Sequence, residues 1–221
     1  MKSNVTKSHL YDQVARISKA LASPKRLELL DLLTQGAKTV EQIAAQAHID
    51  IKLASAHLKA LKSAHLVESH RDGKFMVHAL SGDDVPSLLV RLRDVAESHL
   101  VELSLKLAEI GSQQSSASVE GHKTLLKKLR SGEAVLLDVR PAEEYDAGHL
   151  PMARSVPLNE IRQGLKALSP EIEVVAYCRG PFCRWSDEAI ELLRAKGFNA
   201  SKLSYGVAEW QAAGFTPETA S

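Results

Sequence analysis

The chain has 221 residues, of which 44% are hydrophobic and 25% are charged, and its formal net charge is +1. That length suits one large domain or two small ones, and the composition is ordinary for globular proteins. The near-zero net charge excludes a strongly basic body, so any binding of nucleic acid must depend on a local basic surface.

The first residues, MKSNVTKSHLYDQ, are polar and lack the apolar core of a signal peptide. No apolar run approaches the roughly 20 residues that a membrane span requires. We therefore expect a cytoplasmic protein, and no motif implies a cofactor. A reducing compartment disfavours a structural disulfide, so the two cysteines, Cys178 and Cys183, indicate redox or nucleophilic chemistry.

A polar segment rich in Ser and Gln, GSQQSSASVEG at residues 111–121, predicts a linker with a domain boundary near residue 115. The pattern before it is mostly helical, whereas after it short β-branched runs alternate with helical segments. We therefore assign residues 1–111 to a first domain, 112–119 to the linker and 120–221 to a second domain.

Apolar spacing and capping residues predict four successive helices in the first domain. Their markers are the Leu10–Val14–Ile17 repeat, the Ser23-Pro24 start, the Thr39–Gln42 capping box and the Asp50 cap. Two extended runs around Asp72-Gly73 predict a β-hairpin. A last helix over about residues 84–110 has an apolar stripe too long for one small domain to cover, which predicts packing against a second subunit. The stripe comprises Leu88, Leu92, Val95, Leu103, Leu107 and Ile110.

This order of elements is that of a mainly-α winged helix-turn-helix domain. The segments ALASPKRLELLDLL, SAHLKALKSAHLV and RDGKFMVHAL resemble the arsenic-repressor (ArsR/SmtB) family of dimeric bacterial repressors over about residues 10–110. The resemblance implies a homodimer, joined through residues 84–110, that binds double-stranded operator DNA with the helix 51–63 in the major groove. The residues expected to contact bases or phosphates are Lys52, Ser55, His57, Lys59, Arg71 and Lys74. A module that binds only protein is the alternative.

Members of that family often respond to a bound metal ion. The first half of this chain contains no cysteine, which removes the ligands that soft metals prefer. His99 and Glu102, with Asp94 a turn away, could ligate zinc, but the expected upstream partner positions hold Pro86 and Leu88. We therefore expect no metal site here, and the signal must come from elsewhere.

The second half alternates strands and helices, which predicts an α/β domain with a parallel sheet. Cys178 follows the strand EVVAY and precedes a helix, where sites form in such sheets. Loop N–H groups, including those of Gly180 and Phe182, would form an anion cradle there. The helix dipole, with Arg179 and Arg184, is expected to lower the pKa of Cys178 and make it a nucleophile.

The segments LLDVRPAEEYDAGHLPMARSVPL and YGVAEWQAAGFTP resemble the rhodanese family of sulfurtransferases over about residues 120–217. The resemblance implies that Cys178 takes sulfane sulfur from a small donor and carries it as a persulfide. The implied scaffold residues are Asp138, Arg140, Glu144 and His149.

Two departures from the rhodanese pattern leave the substrate open. Met152 and Ser155 stand where Gly and Asn are usual. The longer cysteine loop spaces Cys178 and Arg184 as C-x5-R, as in rhodanese-fold phosphatases and arsenate reductases. An oxyanion substrate is therefore an alternative to sulfur.

Cys183 has two interpretations. It is either a resolving thiol that closes a disulfide or polysulfide bridge with Cys178, or a small buried apolar residue. Two thiols alone make a poor zinc site.

The sequence as a whole predicts a DNA-binding regulator, a repressor by its resemblance, whose rhodanese-like domain senses or transfers reactive sulfur through a Cys178 persulfide. The alternatives are a sulfurtransferase or an arsenate- or phosphate-handling enzyme recruited to DNA, an arsenic-responsive regulator, and a binding module with an inert loop.

Overall fold

A computed structural model describes residues 6–109, 119–161, 169 and 171–220. The chain forms two compact units, Met1–Val85 and Pro86–Ser221. The predicted boundary near residue 115 and the predicted linker, except for its last residue, lie outside the described residues, as does Ile110. The predicted domain limits therefore stay a prediction.

The first unit contains helices and a small antiparallel sheet. Its elements are α1 (Lys7–Leu21), α2 (Pro24–Leu33), β1 (Lys38–Thr39), α3 (Val40–Gln46), α4 (Ile51–Ser63), β2 (Val67–Asp72) and β3 (Phe75–Leu80), with the strands in the order β1-β3-β2. The helix starts lie where the capping residues predicted them. Thr39 and Gln42 form the reciprocal capping box, and Asp50 Oδ1 accepts the Leu53 N–H at 2.9 Å.

The hairpin turns at Gly73, whose φ of +57° favours glycine, so that Asp72 lies opposite Phe75. Behind it, α2, α3 and α4 bury a shared apolar core that includes Leu29, Leu30 and Ile43. The winged helix-turn-helix prediction is confirmed.

The prediction of one continuous helix over residues 84–110 is wrong, because the helix is interrupted. The structure has α5 (Asp84–His99) and α6 (Val101–Glu109), with Leu100 outside both. The Leu100 carbonyl accepts the N–H groups of Leu103 and Ser104, so this residue begins a new helix. Neither Gly nor Pro marks the break, and periodicity alone therefore could not locate it. None of the described helices combines the length and apolar character that crossing a membrane requires.

The Pro86–Ser221 unit contains a four-stranded sheet with all described pairings parallel, which confirms the α/β prediction. Its further elements are α7 (Val119–Ser131), β4 (Ala134–Asp138), α8 (Ala142–Ala147), β5 (Arg154–Ser155), a 3-10 turn (Leu158–Glu160), β6 (Glu173–Tyr177), α9 (Trp185–Ala195), β7 (Ala200–Lys202) and α10 (Val207–Ala212). The strand order is β5-β4-β6-β7. Asp138 pairs with Tyr177, so β4 and β6 end side by side, directly before Cys178.

Alternate strand residues face two apolar layers. Leu136 and Tyr177 pack with Leu125 of α7, whereas Leu137 and Cys178 belong to the layer that α9 completes. Helices on both faces make the sheet a buried one, as parallel sheets require.

A histidine is enclosed in the α7 layer. His122 is 0% exposed, and its ring meets those of Tyr205, Trp210 and Phe215 at centroid distances of 4.4, 4.8 and 5.0 Å. Within the described residues, neither ring nitrogen of His122 has a hydrogen-bond partner. Burial lowers the pKa of His122, because a charged ring would lose its hydration there.

The buried His122 predicts that the Pro86–Ser221 unit loses stability in mild acid. Below about pH 6.5 the unfolded chain binds a proton at this residue and the folded chain does not, so stability rises with pH across this window. His122→Phe should abolish this dependence and raise the free energy of unfolding by about 1 kcal/mol. Urea unfolding followed by fluorescence tests this, because both tryptophans lie in this unit. Equal pH slopes in the two proteins would contradict it.

Candidate functional site

A buried ion pair at the end of β4 is linked to the end of β6 by a tyrosine hydroxyl. The Asp138 carboxylate accepts from Arg140 Nε at 3.0 Å and from Arg140 Nη2 at 2.6 Å, and both residues are almost completely buried. The Tyr177 hydroxyl donates to Asp138 Oδ2 at 2.5 Å and accepts the Leu150 N–H at 3.0 Å. Burial raises the pKa of Tyr177, which therefore stays a neutral donor. The network positions the backbone from which the cysteine loop leaves.

Cys178 begins that loop and is only 2% exposed. Its thiol donates to the Cys183 carbonyl oxygen at 3.4 Å, and its Sγ lies 3.3 Å from Ser186 Oγ. Burial raises the pKa of Cys178 well above its ordinary value, and the neighbouring Cys183 sulfur raises it further. The expected lowering of this pKa was therefore wrong, because the Ser186 N–H and hydroxyl at the helix start do not offset the apolar surroundings.

Cys183 is the thiol whose pKa falls. The groups that lower this pKa are the Cys178 side chain, the backbone N–H groups of Trp185 and Arg179, and the charge of Arg179. The hydrogen bond from Cys178 is the largest of the contributions that lower the pKa of Cys183 to about 7, against the opposing effect of burial. Its lower pKa and its partial exposure both favour Cys183 over Cys178 as the thiol that loses its proton first.

The predicted cradle residues line the same loop. Gly180 has a φ of +122°, and its carbonyl accepts the Cys183 N–H at 3.1 Å. Phe182 is 52% exposed. A cradle role for the N–H groups of Gly180 and Phe182 stays a prediction.

The two loop arginines differ in their surroundings. Arg179 donates from Nε and Nη2 to the buried Glu144 carboxylate at 2.9 and 2.5 Å, and its guanidinium lies 4.5 Å from the Trp185 ring centroid. Its charge therefore compensates Glu144. Arg184 directly precedes α9 and is exposed, with no ion-pair partner within the described chain. Of the two, Arg184 is the one available to a bound anion.

A third buried carboxylate holds the loop from α10. Glu209 accepts the Gly206 N–H at 2.6 Å, and its oxygens lie 3.2 Å from where a Cβ on Gly180 would stand. Arg93 of α5 forms an ion pair with Glu209, and its guanidinium lies 5.4 Å from the Phe182 ring centroid. Gly206 has to be glycine, since a Cβ would approach the Cys178 carbonyl oxygen to 2.6 Å.

Sequence reasoning missed Arg93, Ser186 and Glu209. Glu209 had a weak signal in its position three residues after Gly206, the spacing of a helix-capping carboxylate. Arg93 had none, since it lies 116 residues from its partner.

The remaining rhodanese-type positions lie beside the loop rather than in it. His149 stacks on the Tyr145 ring at 3.7 Å, and its Nδ1 lies 2.9 Å from the Tyr145 carbonyl oxygen. Met152 has a φ of +64°, a conformation that explains why glycine is usual at this position.

On the first unit, the predicted DNA-contacting side chains share one helix face and the hairpin tip. Lys52, Ser55 and Lys59 are exposed on α4, opposite the buried Ala54, Leu58 and Leu61, and His57 lies at the flank of that face. At the tip, Arg71 Nε donates to the Gly73 carbonyl at 3.0 Å, and Lys74 lies 5.1 Å from the Phe75 ring centroid. Four exposed apolar residues of this surface were missed: Ile51, Leu53, Phe75 and Met76.

The candidate zinc ligands do not form a site. Across residues 6–109, 119–161 and 171–220, no group of three or more His, Cys, Asp or Glu side chains could hold a metal ion. His99 ends α5 and Glu102 lies in α6, on the other side of the break at Leu100.

Both halves of the chain match known protein families. Residues 23–69 match the model of the arsR family of bacterial regulatory proteins, and residues 122–213 match that of the rhodanese-like domain. The HTH-type transcriptional regulator Rv0324 of Mycobacterium tuberculosis is 40% identical over 208 residues, which cover 94% of this chain and 91% of that protein.

Two shorter matches concern the first half alone. The transcriptional repressor SdpR of Bacillus subtilis is 37% identical over 65 residues, 29% of this chain and 72% of its own length. Among solved structures, the homodimeric winged helix-turn-helix DNA-binding domain of Mb0332 from Mycobacterium bovis is 44% identical. It has a TM-score of 0.42 and covers 45% of this chain and 94% of its own.

The two thiols should differ in reactivity with iodoacetamide. We expect Cys183 to be alkylated with a midpoint near pH 7, and Cys178 to react more slowly up to pH 9, because only the thiolate attacks. Peptide mass spectrometry after timed quenching measures both rates.

Variants of Cys178 provide the control. Cys178→Ala removes the hydrogen bond to Cys183 and should raise the midpoint, whereas Cys178→Ser keeps a hydroxyl donor and should raise it less. Faster alkylation of Cys178 in the unaltered protein would contradict this assignment.

Proposed function

Because this chain belongs to the ArsR family of bacterial transcriptional regulators and carries a rhodanese-like domain, we propose that it is a sulfur-responsive repressor. Its affinity for operator DNA changes when sulfane sulfur from a small donor is held as a persulfide on Cys178. A protein that binds operator DNA works beside the bacterial chromosome, and we propose a cytoplasmic location on that ground.

The observation that carries the proposal is the placement of two cysteines in one loop directly after β6, where Cys178 Sγ lies 3.4 Å from the Cys183 carbonyl oxygen. Cys178 Sγ also lies 3.3 Å from Ser186 Oγ at the start of α9. Sulfane sulfur moves by attack of a thiolate on a sulfur atom, and both reacting groups are present here in one rhodanese-like domain.

The DNA-binding half of the proposal relies on α4 and the hairpin. Lys52, Lys59 and Lys74 are exposed cations that can contact phosphates, and Ser55 and His57 can reach base edges. The exposed Ile51 and Leu53 at the start of α4 suit apolar contact with thymine methyl groups.

A homodimer would supply two copies of this surface. Leu88, Leu92 and Val95 are exposed along one face of α5, at the spacing that a helix packing against a second helix requires. In the first unit, α1 has a second exposed apolar row in Leu10, Tyr11 and Val14. Covering such rows with a second copy would join two recognition helices for two half-sites.

An oxyanion-handling enzyme is less well supported by the loop. Arg179 compensates Glu144, and burial raises the pKa of Cys178, so neither group is free for oxyanion chemistry as the sequence pattern suggested. Arg184 remains available to an anion. Catalytic turnover with arsenate or an aryl phosphate would favour the oxyanion-handling enzyme over the sulfur-responsive repressor.

Fluorescence anisotropy with DNA from upstream of the gene tests the proposed function. Treatment with a low-molecular-weight persulfide should change the operator Kd of the unaltered protein by at least about five-fold, the lower range of allosteric effects. Cys178→Ser should bind the same DNA when reduced and show no change after treatment. An unchanged Kd in the unaltered protein, with persulfidation verified by mass spectrometry, would contradict sulfur sensing.

The structure also suggests how the loop reaches the proposed dimer helix. Arg93 of α5 and Glu209 of α10 belong to the same Pro86–Ser221 unit and form a buried ion pair. Arg93 also contacts Phe182 in the cysteine loop. An added sulfur atom that displaces this loop would therefore alter the surroundings of α5.

The path from the cysteine loop through Arg93 to α5 predicts a variant in which sulfur uptake no longer changes DNA affinity. Arg93→Met combined with Glu209→Gln leaves no unpaired buried charge. We expect the double variant still to take up sulfur, while its operator Kd responds about ten-fold less than that of the unaltered protein. Mass spectrometry and anisotropy on the same samples separate these two effects. Arg91→Met is the matched control, because Arg91 lies on the same helix and is 79% exposed. A full response in the double variant would exclude this route.

A further inference from the structure

We propose that Cys183, rather than Cys178, is the thiol that first accepts sulfur from the donor, and that it passes the sulfur to the buried Cys178. The proposal rests on the proposed function and adds to it an order of events within the loop. It makes Cys183 the first sulfur acceptor, whereas the sequence suggested only a resolving thiol or a small buried apolar residue.

Access distinguishes the two thiols. Cys178 is 2% exposed and lies within the apolar layer completed by α9, with its Sγ against Ser186 Oγ and the Cys183 carbonyl. Cys183 is half-buried, follows the exposed Phe182 and precedes the exposed Arg184. A donor molecule arriving from solvent therefore meets Cys183 first.

The surroundings of the two sulfurs give the same order. Burial raises the pKa of Cys178, whose thiol donates to the Cys183 carbonyl oxygen at 3.4 Å, so Cys178 remains protonated at neutral pH. The pKa of Cys183 is lowered, chiefly through its interaction with the Cys178 side chain. The charged groups nearest to this pair are Arg179, held by Glu144, and the exposed Arg184.

The reaction needs no oxidant or reductant. In the first step the Cys183 thiolate attacks the outer sulfur of a donor R–S–SH, the S–S bond of the donor breaks, and the donor leaves as RS⁻. In the second step Cys178 attacks the outer sulfur of the Cys183 persulfide, and the bond between that sulfur and Cys183 breaks. The Cys178 proton passes to the Cys183 sulfur, so a persulfide on Cys178 and a thiol on Cys183 result.

The order can be observed in the unaltered full-length protein. Glutathione persulfide is added under anaerobic conditions, and samples are quenched at short times by alkylation and mapped by peptide mass spectrometry. We expect the added sulfur atom first on Cys183 and later on Cys178. Appearance on Cys178 without an earlier Cys183 species would overturn the proposal.

Serine variants provide an independent measurement. Cys178→Ser should take up one sulfur atom and retain it on Cys183, whereas Cys183→Ser should take up sulfur about ten-fold more slowly or worse. Tryptophan fluorescence verifies that both variants are folded, since Trp185 and Trp210 lie in the same unit.

The outcomes separate this inference from the proposed function. Rapid uptake by Cys183→Ser would make Cys178 the direct acceptor and leave sulfur sensing intact. A product with two hydrogens fewer and no added sulfur would replace the relay with a disulfide bridge. Uptake no faster than that of the urea-unfolded chain would contradict both the relay and the sulfur-sensing proposal.

Discussion

A carboxylate removed from water has to be paired with a cation, and breaking such a buried pair typically costs about 3–5 kcal/mol. Three carboxylates around the cysteine loop are in this position, and each is paired with an arginine: Asp138 with Arg140, Glu144 with Arg179, and Glu209 with Arg93. The arginines come from the segment after β4, from the loop itself and from α5. These pairs fix the backbone that positions both sulfurs.

The need to pair buried carboxylates also decides which cations near the cysteine loop can stabilise a thiolate. Because Arg179 compensates Glu144, the loop's first cation is not available to stabilise a thiolate on Cys178. The pKa of Cys183 is lowered instead, first through the Cys178 side chain and then through the N–H groups of Trp185 and Arg179. The loop thus holds a protonated, enclosed sulfur beside a more accessible sulfur of lower pKa. Sulfur can be exchanged between two such atoms without any change in the number of electrons.

The two parts of the chain contribute different capabilities. The winged helix-turn-helix of the ArsR family provides a surface for DNA, on which no described group of side chains could hold a metal ion. The rhodanese-like domain contributes the loop that holds both cysteines. Arg93 gives a physical contact between the cysteine loop and α5, whose exposed Leu88, Leu92 and Val95 form the proposed dimer surface.

The sequence by itself determined the features that depend on local pattern: the helix caps at Thr39 and Asp50, the hairpin at Gly73, the parallel sheet and the place of Cys178 at a strand end. Only the tertiary structure decided which thiol is more deeply buried, which carboxylate pairs with Arg179, and that Arg93 pairs with Glu209. Burial and ion pairing depend on residues far apart in the chain, 35 positions for Glu144–Arg179 and 116 for Arg93–Glu209. Spacing within one segment carries no record of such partners.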